Sequence, residues 1–223
     1  MSIYVHFGIW IVDGVLGVRN RLKSIQFGVY GATEAGKTTL HNQLRTRGNV
    51  GEITKRTVGR GKATRKVVKI DGEVRTLKTS DCGGEVQYWQ EWAADIKKRK
   101  VKYIIFMIDN RHLQNPANMQ HQLAWQYLTE LITDDYWRSG NKLKRKKHTE
   151  FPVAVGLWAN KYDLWKAQPN HDGPIEEHPI FAPFVYGLEK LHQKGIPTHK
   201  YIMSAKSDSE MVYRGVMSMI KDY

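Results

Sequence analysis

The chain has 223 residues, 41% hydrophobic and 11% aromatic, enough to bury one α/β core. That composition argues against a disordered chain, and a single cysteine, Cys82, excludes an internal disulfide and suits a reducing compartment. The formal net charge is +13, concentrated in the basic clusters 45–78, 97–102 and 138–150, which face solvent or attract nucleic acid, anionic membrane or an acidic partner.

Residues 1–22 form an apolar segment up to Val18 and a basic one after it. Asp13 and His6 interrupt the run, which falls short of the about 20 residues that a membrane span needs. No transmembrane span is expected. The alternation of Ile3, Val5, Phe7, Ile9 and Ile11 predicts an extra strand, with an amphipathic surface helix as the alternative. Residue 2 is Ser and the C-terminus "IKDY" has no cysteine, so the usual lipidation signals are missing. The expected location is cytoplasmic, with peripheral membrane attachment left open.

From residue 23 onward strands and helices alternate. "SIQFGVYG" (24–31) reads as a buried strand, and "GKTTLHNQLRTRG" (36–48) as a helix stopped by Gly48. Residues 64–81 read as a β-hairpin turning at Asp71-Gly72. Residues 101–109 and 151–160 are apolar runs of the buried parallel type, and 199–205 is a last strand. Helices are expected near 86–98, 117–134, 181–193 and 209–221. Such an order predicts a mostly parallel sheet with helices on both faces and ligands at the carboxyl ends of the strands.

Four stretches at those ends carry chemistry, and a fifth lies between the first helix and the hairpin. "GATEAGKT" (31–38) follows a strand and opens a helix, the arrangement of a phosphate-binding loop. Its glycines let backbone N–H groups wrap phosphates, and the helix N-terminus adds partial positive charge. Gly31, Ala32, Thr33, Glu34, Ala35, Gly36, Lys37, Thr38 and Thr39 are therefore the candidate phosphate contacts. Lys37 can reach the outer phosphates and the Thr38 hydroxyl can ligate Mg²⁺.

"NKYD" (160–163) closes a strand. A carboxylate at Asp163 can accept two hydrogen bonds from guanine N1–H and N2–H, a donor pair that adenine lacks. Asn160 can tie the base loop to the phosphate loop, and the Lys161 stem can cover a purine face. "SAK" (Ser204, Ala205, Lys206) follows the last strand, where the Ala205 N–H can meet guanine O6. "DCGG" (81–84) ends the hairpin. Asp81 can hold a metal through water, and the Gly84 N–H can sense a γ-phosphate. In "RTVG" (56–59) the Thr57 hydroxyl is the candidate second Mg²⁺ ligand, with Thr54 as its competitor.

The ordered set GATEAGKT, TVG, DCGG, NKYD and SAK resembles a small GTPase of the Ras superfamily. TVG followed by a hairpin and D-x-G-G is most similar to the Arf/Sar/Arf-like branch, and Trp92 matches an aromatic of that branch. "DCGG" is also the spelling of Rag-type GTPases. The resemblance implies an α/β fold of the P-loop NTPase class: a G domain with a mostly parallel six-stranded sheet, one antiparallel strand and helices on both faces. It would span 23–223, with a basic insertion at 138–150 and an extended segment at 164–198. GTP/GDP and Mg²⁺ would be the ligands, with Thr38, Thr57 and Asp81 around the metal. Glu85, Lys37, Thr57 and Gly84 would surround the transferred phosphoryl group.

Two departures stand out. The positions that match the branch's three effector-binding aromatics are Arg60, Ser80 and Asp95, so an Arf-type effector is not expected. The family also has Gln after D-x-G-G, where it orients the attacking water, and this chain has Glu85. A carboxylate there can accept a proton but cannot donate as an amide does, and it faces a like charge. Glu85 can slow hydrolysis, require a cation such as Arg56, act as a base, or face a partner. A switch with slow intrinsic turnover and nucleotide-dependent partner binding is the leading expectation. A GTP-binding subunit of an assembly that contacts nucleic acid or an acidic partner is the alternative, as is a membrane-surface trafficking GTPase.

Overall fold

Why the chain forms a two-faced sheet is visible in its apolar runs. "YIIFMI" and "AVGLWA" have no polar alternation, and every residue of both is buried. A computed structural model describes residues 24–46, 61, 64–70, 73–134, 152–167 and 173–221. The elements are β1 (Ser24–Gly31), α1 (Lys37–Thr46), β2 (Thr64–Ile70), β3 (Glu73–Asp81), α2 (Trp89–Arg99), β4 (Tyr103–Ile108), a short α3 (Arg111–Gln114), α4 (Gln120–Thr133), β5 (Ala154–Ala159), a short α5 (Tyr162–Trp165), α6 (Val185–Gln193), β6 (Thr198–Ile202) and α7 (Ser209–Lys221). Single 3₁₀ segments cover Val86–Tyr88, Ile175–Glu177 and Pro179–Phe184.

The strand order is β2-β3-β1-β4-β5-β6. Strands β3, β1, β4, β5 and β6 run parallel, and β2 pairs antiparallel with β3 at the edge. One face is covered by α2, α4 and α6 around Tyr30, Trp92, Ile104, Phe106, Trp125 and Phe184. The other is covered by α1 and α7 around Phe27, Val29, Leu40, Ile105, Met107 and Val216. Each such fully buried large side chain stabilises the fold by about 1.5–3 kcal/mol relative to exposure.

Several boundaries differ from the sequence reading. The helix expected from 86 begins as a 3₁₀ turn and becomes α-helical at Trp89. The helix expected from 117 begins at Gln120, and that from 181 begins at Val185 after a 3₁₀ stretch. Pro179 and Pro183 explain the latter, since each removes an N–H that an α-helix interior would use. The last strand ends at Ile202, not 205. Within 164–198 part of the described stretch is built into the body. Phe181 and Phe184 lie in the core, and His112 Nε2 lies 3.0 Å from the Ile180 carbonyl oxygen.

The segment 1–22, Thr54, Arg56, Thr57 and Arg60, the Asp71-Gly72 turn and the basic loop 138–150 lie outside the described residues. Ser80 and Asp95 lie inside them, and neither forms a surface. Both are buried. Asp95 accepts hydrogen bonds from Tyr30 Oη (2.8 Å), Ser80 Oγ (2.9 Å) and Arg99 Nε (2.8 Å) and Nη2 (2.6 Å). Burial alone would raise the Asp95 carboxyl, but hydrogen bonds from Arg99, Tyr30 and Ser80 hold it below its usual range. Arg99 also donates to the Phe27 carbonyl, so α2 is riveted to β1 and β3.

Candidate functional site

The parallel strands β1, β3, β4 and β5 all end on one side of the sheet, and each end delivers a polar residue. The phosphate loop leaves β1 at Gly31, turns through Glu34 and Gly36, and enters α1 at Lys37. Glu34 has φ 65°, a left-handed conformation unusual outside glycine, and Gly36 has φ 95°. A side chain at 36 would also collide with the Asn160 amide. Lys37 is buried, and its ammonium donates to the Ala32 carbonyl at 2.7 Å, across the loop. Burial lowers the Lys37 pKa to about 8, against the pull of Asp81 and Cys82 and with a further push from Arg111.

Asp81 arrives from β3 beside the first turn of α1. Thr38 Oγ1 donates to Asp81 Oδ2 at 2.6 Å. Two hard oxygen donors therefore converge beside the phosphate loop, which fits a magnesium ion that takes one or two protein oxygens and completes its shell with phosphate and water. Among the described residues no cluster of three or more His, Cys, Asp or Glu could hold a metal by itself.

The DCGG loop lies directly on the phosphate loop. A Cβ at Gly84 would come within 2.5 Å of Ala32 C and Thr33 N and within 2.6 Å of Lys37 Nζ, so only glycine permits this approach. Two tryptophans hold the loop from behind. Trp92 Nε1 donates to Gly83 O at 2.9 Å, and Trp89 Nε1 to Gly84 O at 3.1 Å. Trp92 is fully buried and sits in an aromatic cluster, tilted against Tyr30 and Trp89 and edge-on to Phe106. Glu85 stands at the N-terminus of the 3₁₀ turn, half-buried, and accepts a 2.8 Å hydrogen bond from Gln87 Nε2.

The base loop is assembled from β5 and β6. Asn160 Nδ2 donates to Ala35 O at 2.9 Å, and Asn160 Oδ1 accepts from the Ala205 N–H at 2.8 Å. Asn160 thus ties the phosphate loop to both the NKYD and the SAK stretches of the base loop. The Asp163 N–H donates to Ser204 Oγ at 2.8 Å, while the Asp163 side chain is exposed. Lys206 is exposed beside Ala205, and Thr39 is half-buried in α1.

Three residues of the site escaped the sequence reading: Asp109, Arg111 and His121. Asp109 is fully buried beyond the end of β4. It accepts from Lys161 Nζ (2.8 Å), Arg111 Nε (2.9 Å) and His121 Nε2 (2.9 Å). Burial opposes its charge, yet the bonds from His121, Arg111 and Lys161 hold its carboxyl far below the usual carboxylate range. A usable signal existed: Asp109 follows an apolar strand just as Asn160 does, and the two stand one residue beyond the paired Ile108 and Ala159.

The arrangement can wrap a polyphosphate, hold a divalent ion and read a purine edge, all on one rim. Comparison with curated proteins returns no match. Residues 26–134 match the model of a family described as "50S ribosome-binding GTPase", a stretch that carries the phosphate and DCGG loops and stops before NKYD. That match, joined to this geometry, supports a P-loop GTPase domain, with the guanine-nucleotide binding and GTP hydrolysis that such a domain implies.

Proposed function

We propose that the protein is a guanine-nucleotide switch of Arf-like motif order that hydrolyses GTP slowly and binds a partner in one nucleotide state. Asn160 carries the reading. It bridges Ala35 of the phosphate loop and Ala205 of the base loop, and so presents the exposed Asp163 carboxylate on the same rim as the phosphate cradle.

In the proposed reaction, backbone N–H groups from Thr33 to Thr38 and the Lys37 ammonium hold the phosphates. Thr38 and Asp81 would hold Mg²⁺, which offsets charge on the outer phosphates when bound. Gly84 is placed to bring its N–H near the γ-phosphate, and Glu85 follows it, where the attacking water must be oriented. Trp89 and Trp92 fix the carbonyls of Gly84 and Gly83 and so limit where that loop can go.

A second reading is a GTP-binding subunit that contacts nucleic acid. Lys97, Lys98 and Lys100 support it, exposed at the C-terminal end of α2, as does the ribosome-binding description of the matched family. Deciding between them takes GTP turnover by the full chain with and without RNA. Stimulation by RNA that fades with salt favours the second.

Base selectivity tests both readings. In Asp163→Asn the paired acceptor is replaced by a mixed amide. GTP affinity should fall at least about tenfold and xanthosine triphosphate affinity should rise. Unchanged GTP affinity would overturn the base-site assignment.

A further inference from the structure

Asp109 does more than neutralise its neighbours, because its partners belong to different loops. Lys161 comes from the base loop, and its bond is to Oδ2. Arg111 takes Oδ1 through both its Nε at 2.9 Å and its backbone N–H at 3.1 Å. His121 also approaches Oδ1, from α4, which gives this carboxylate four donors and no freedom to turn.

Arg111 then reaches further. Its guanidinium Nη2 donates to the Thr33 carbonyl, and Nη1 lies 3.7 Å from Glu34 Oε2. Both contacts fall on the crest of the phosphate loop. The Thr33–Glu34 peptide is planar and trans, so its C=O and N–H point in opposite directions. Holding the Thr33 carbonyl toward Arg111 therefore turns the Glu34 N–H away from Arg111. The left-handed backbone at Glu34 (φ 65°) is an arrangement that surrounding contacts must maintain. No glycine relieves it, and Arg111 touches residues 33 and 34 together.

We propose that Arg111 is a positioning residue for the nucleotide phosphates: it holds the Thr33 carbonyl, directs the Glu34 N–H into the phosphate cradle, and is itself aimed by Asp109, the carboxylate that also holds Lys161 of the base loop. This inference rests on the nucleotide-binding reading above. It makes Asp109 the joint through which the base loop and the phosphate loop are braced against one another, and it assigns a role to two residues outside the sequence motifs.

The test compares GDP with IDP, which lacks the guanine amino group, on the full chain and on Arg111→Gln, Arg111→Lys and Asp109→Asn. Fluorescent GDP reports affinity and dissociation, and IDP competition reports base reading. Arg111→Gln should weaken GDP and IDP alike by about tenfold, as expected for one charge-assisted hydrogen bond, and leave their ratio unchanged. Arg111→Lys should recover part of the loss. Asp109→Asn should weaken GDP and also reduce the preference for GDP over IDP, because Lys161 loses its anchor. Arg111→Gln binding GDP within twofold of wild type would overturn the proposal. So would a loss in Arg111→Gln that simply follows a fall in thermal stability, with lysine giving no recovery. A wild-type chain that binds neither nucleotide would instead remove the reading on which the proposal rests.

Discussion

Thr38 Oγ1 and Asp81 Oδ2 lie 2.6 Å apart, although forty-three residues separate them in the chain. The contact exists because β3 pairs in parallel with β1, with Asp81 in register with Val29, so the end of one strand meets the loop leaving the other. A hydroxyl and a carboxylate in this relation suit one hard cation. Nucleotide dissociation from the wild type should therefore accelerate on chelation of Mg²⁺. Asp81→Asn keeps the shape and removes the charge, so its dissociation should be fast and nearly insensitive to chelator. A stopped-flow measurement with fluorescent GDP, with and without EDTA, checks this. Wild-type dissociation unaffected by EDTA would count against a metal at Thr38 and Asp81.

Lys37 predicts a pH dependence. Its folded pKa, about 8, lies below the ordinary value of 10.5 because of burial. Between pH 8 and 9 the unfolded chain keeps this proton while the folded, nucleotide-free chain loses it, so stability should rise with pH across that window. Cys82, pushed up to about 12 by burial, opposes the trend increasingly as pH approaches 9, its ordinary value, and lessens the rise without reversing it in that window. Phosphates reverse the sign for binding. A charged ligand restores the Lys37 proton, so GDP binding should take up protons near pH 8 and weaken as pH rises further. Calorimetry in buffers of different ionisation enthalpy measures the uptake, and Lys37→Arg should abolish it.

Glu85 is held by Gln87 and follows the glycine that touches the phosphate loop. Replacing it with Gln keeps an acceptor and adds a donor for water and phosphate oxygen. Glu85→Gln should preserve or raise single-turnover GTP hydrolysis, and Glu85→Leu should lower it. If Gln is as slow as Leu, the carboxylate acts as a base. Equal rates for all three would place Glu85 outside the chemistry.

The Asp95–Arg99 pair predicts a stability effect. Asp95→Ala leaves Arg99, only 13% exposed, without its carboxylate. Breaking a buried pair from one side typically costs about 3–5 kcal/mol. Asp95→Ala and Arg99→Ala together should cost less than the sum of the single changes, because the second removes a charge already stranded. Urea denaturation of the four proteins measures the cycle. Strict additivity would show that the two residues act separately.

Much of this arrangement was legible in the chain. The phosphate loop could be placed because GATEAGKT sits between a strand and a helix, and local spacing suffices when one turn makes the site. NKYD and SAK could be placed for the same reason, each following a strand. The boundaries at Trp89 and Val185 differ because each α-helix is entered through a 3₁₀ segment, which before Val185 holds Pro179 and Pro183. Arg111 and His121 were missed because nothing in "DNRHLQ" or "MQHQLAW" shows that both approach one carboxylate.

By itself the sequence pointed to the type of ligand, a guanine nucleotide, and the matched GTPase family implies the same. Glycines of a phosphate-binding loop, a lysine and a threonine at the helix start, and a carboxylate expected to read guanine are chemistry written in residue order. Only the tertiary structure decided how those parts are held. It buried Ser80 and Asp95 together beneath α2, and it made Asp109 the common acceptor of a lysine, an arginine and a histidine from three segments. The physical reason is that a buried charge must be satisfied by whatever donors the packed elements bring within about 3 Å. Which donors arrive is set by strand order and helix packing, not by spacing along the chain.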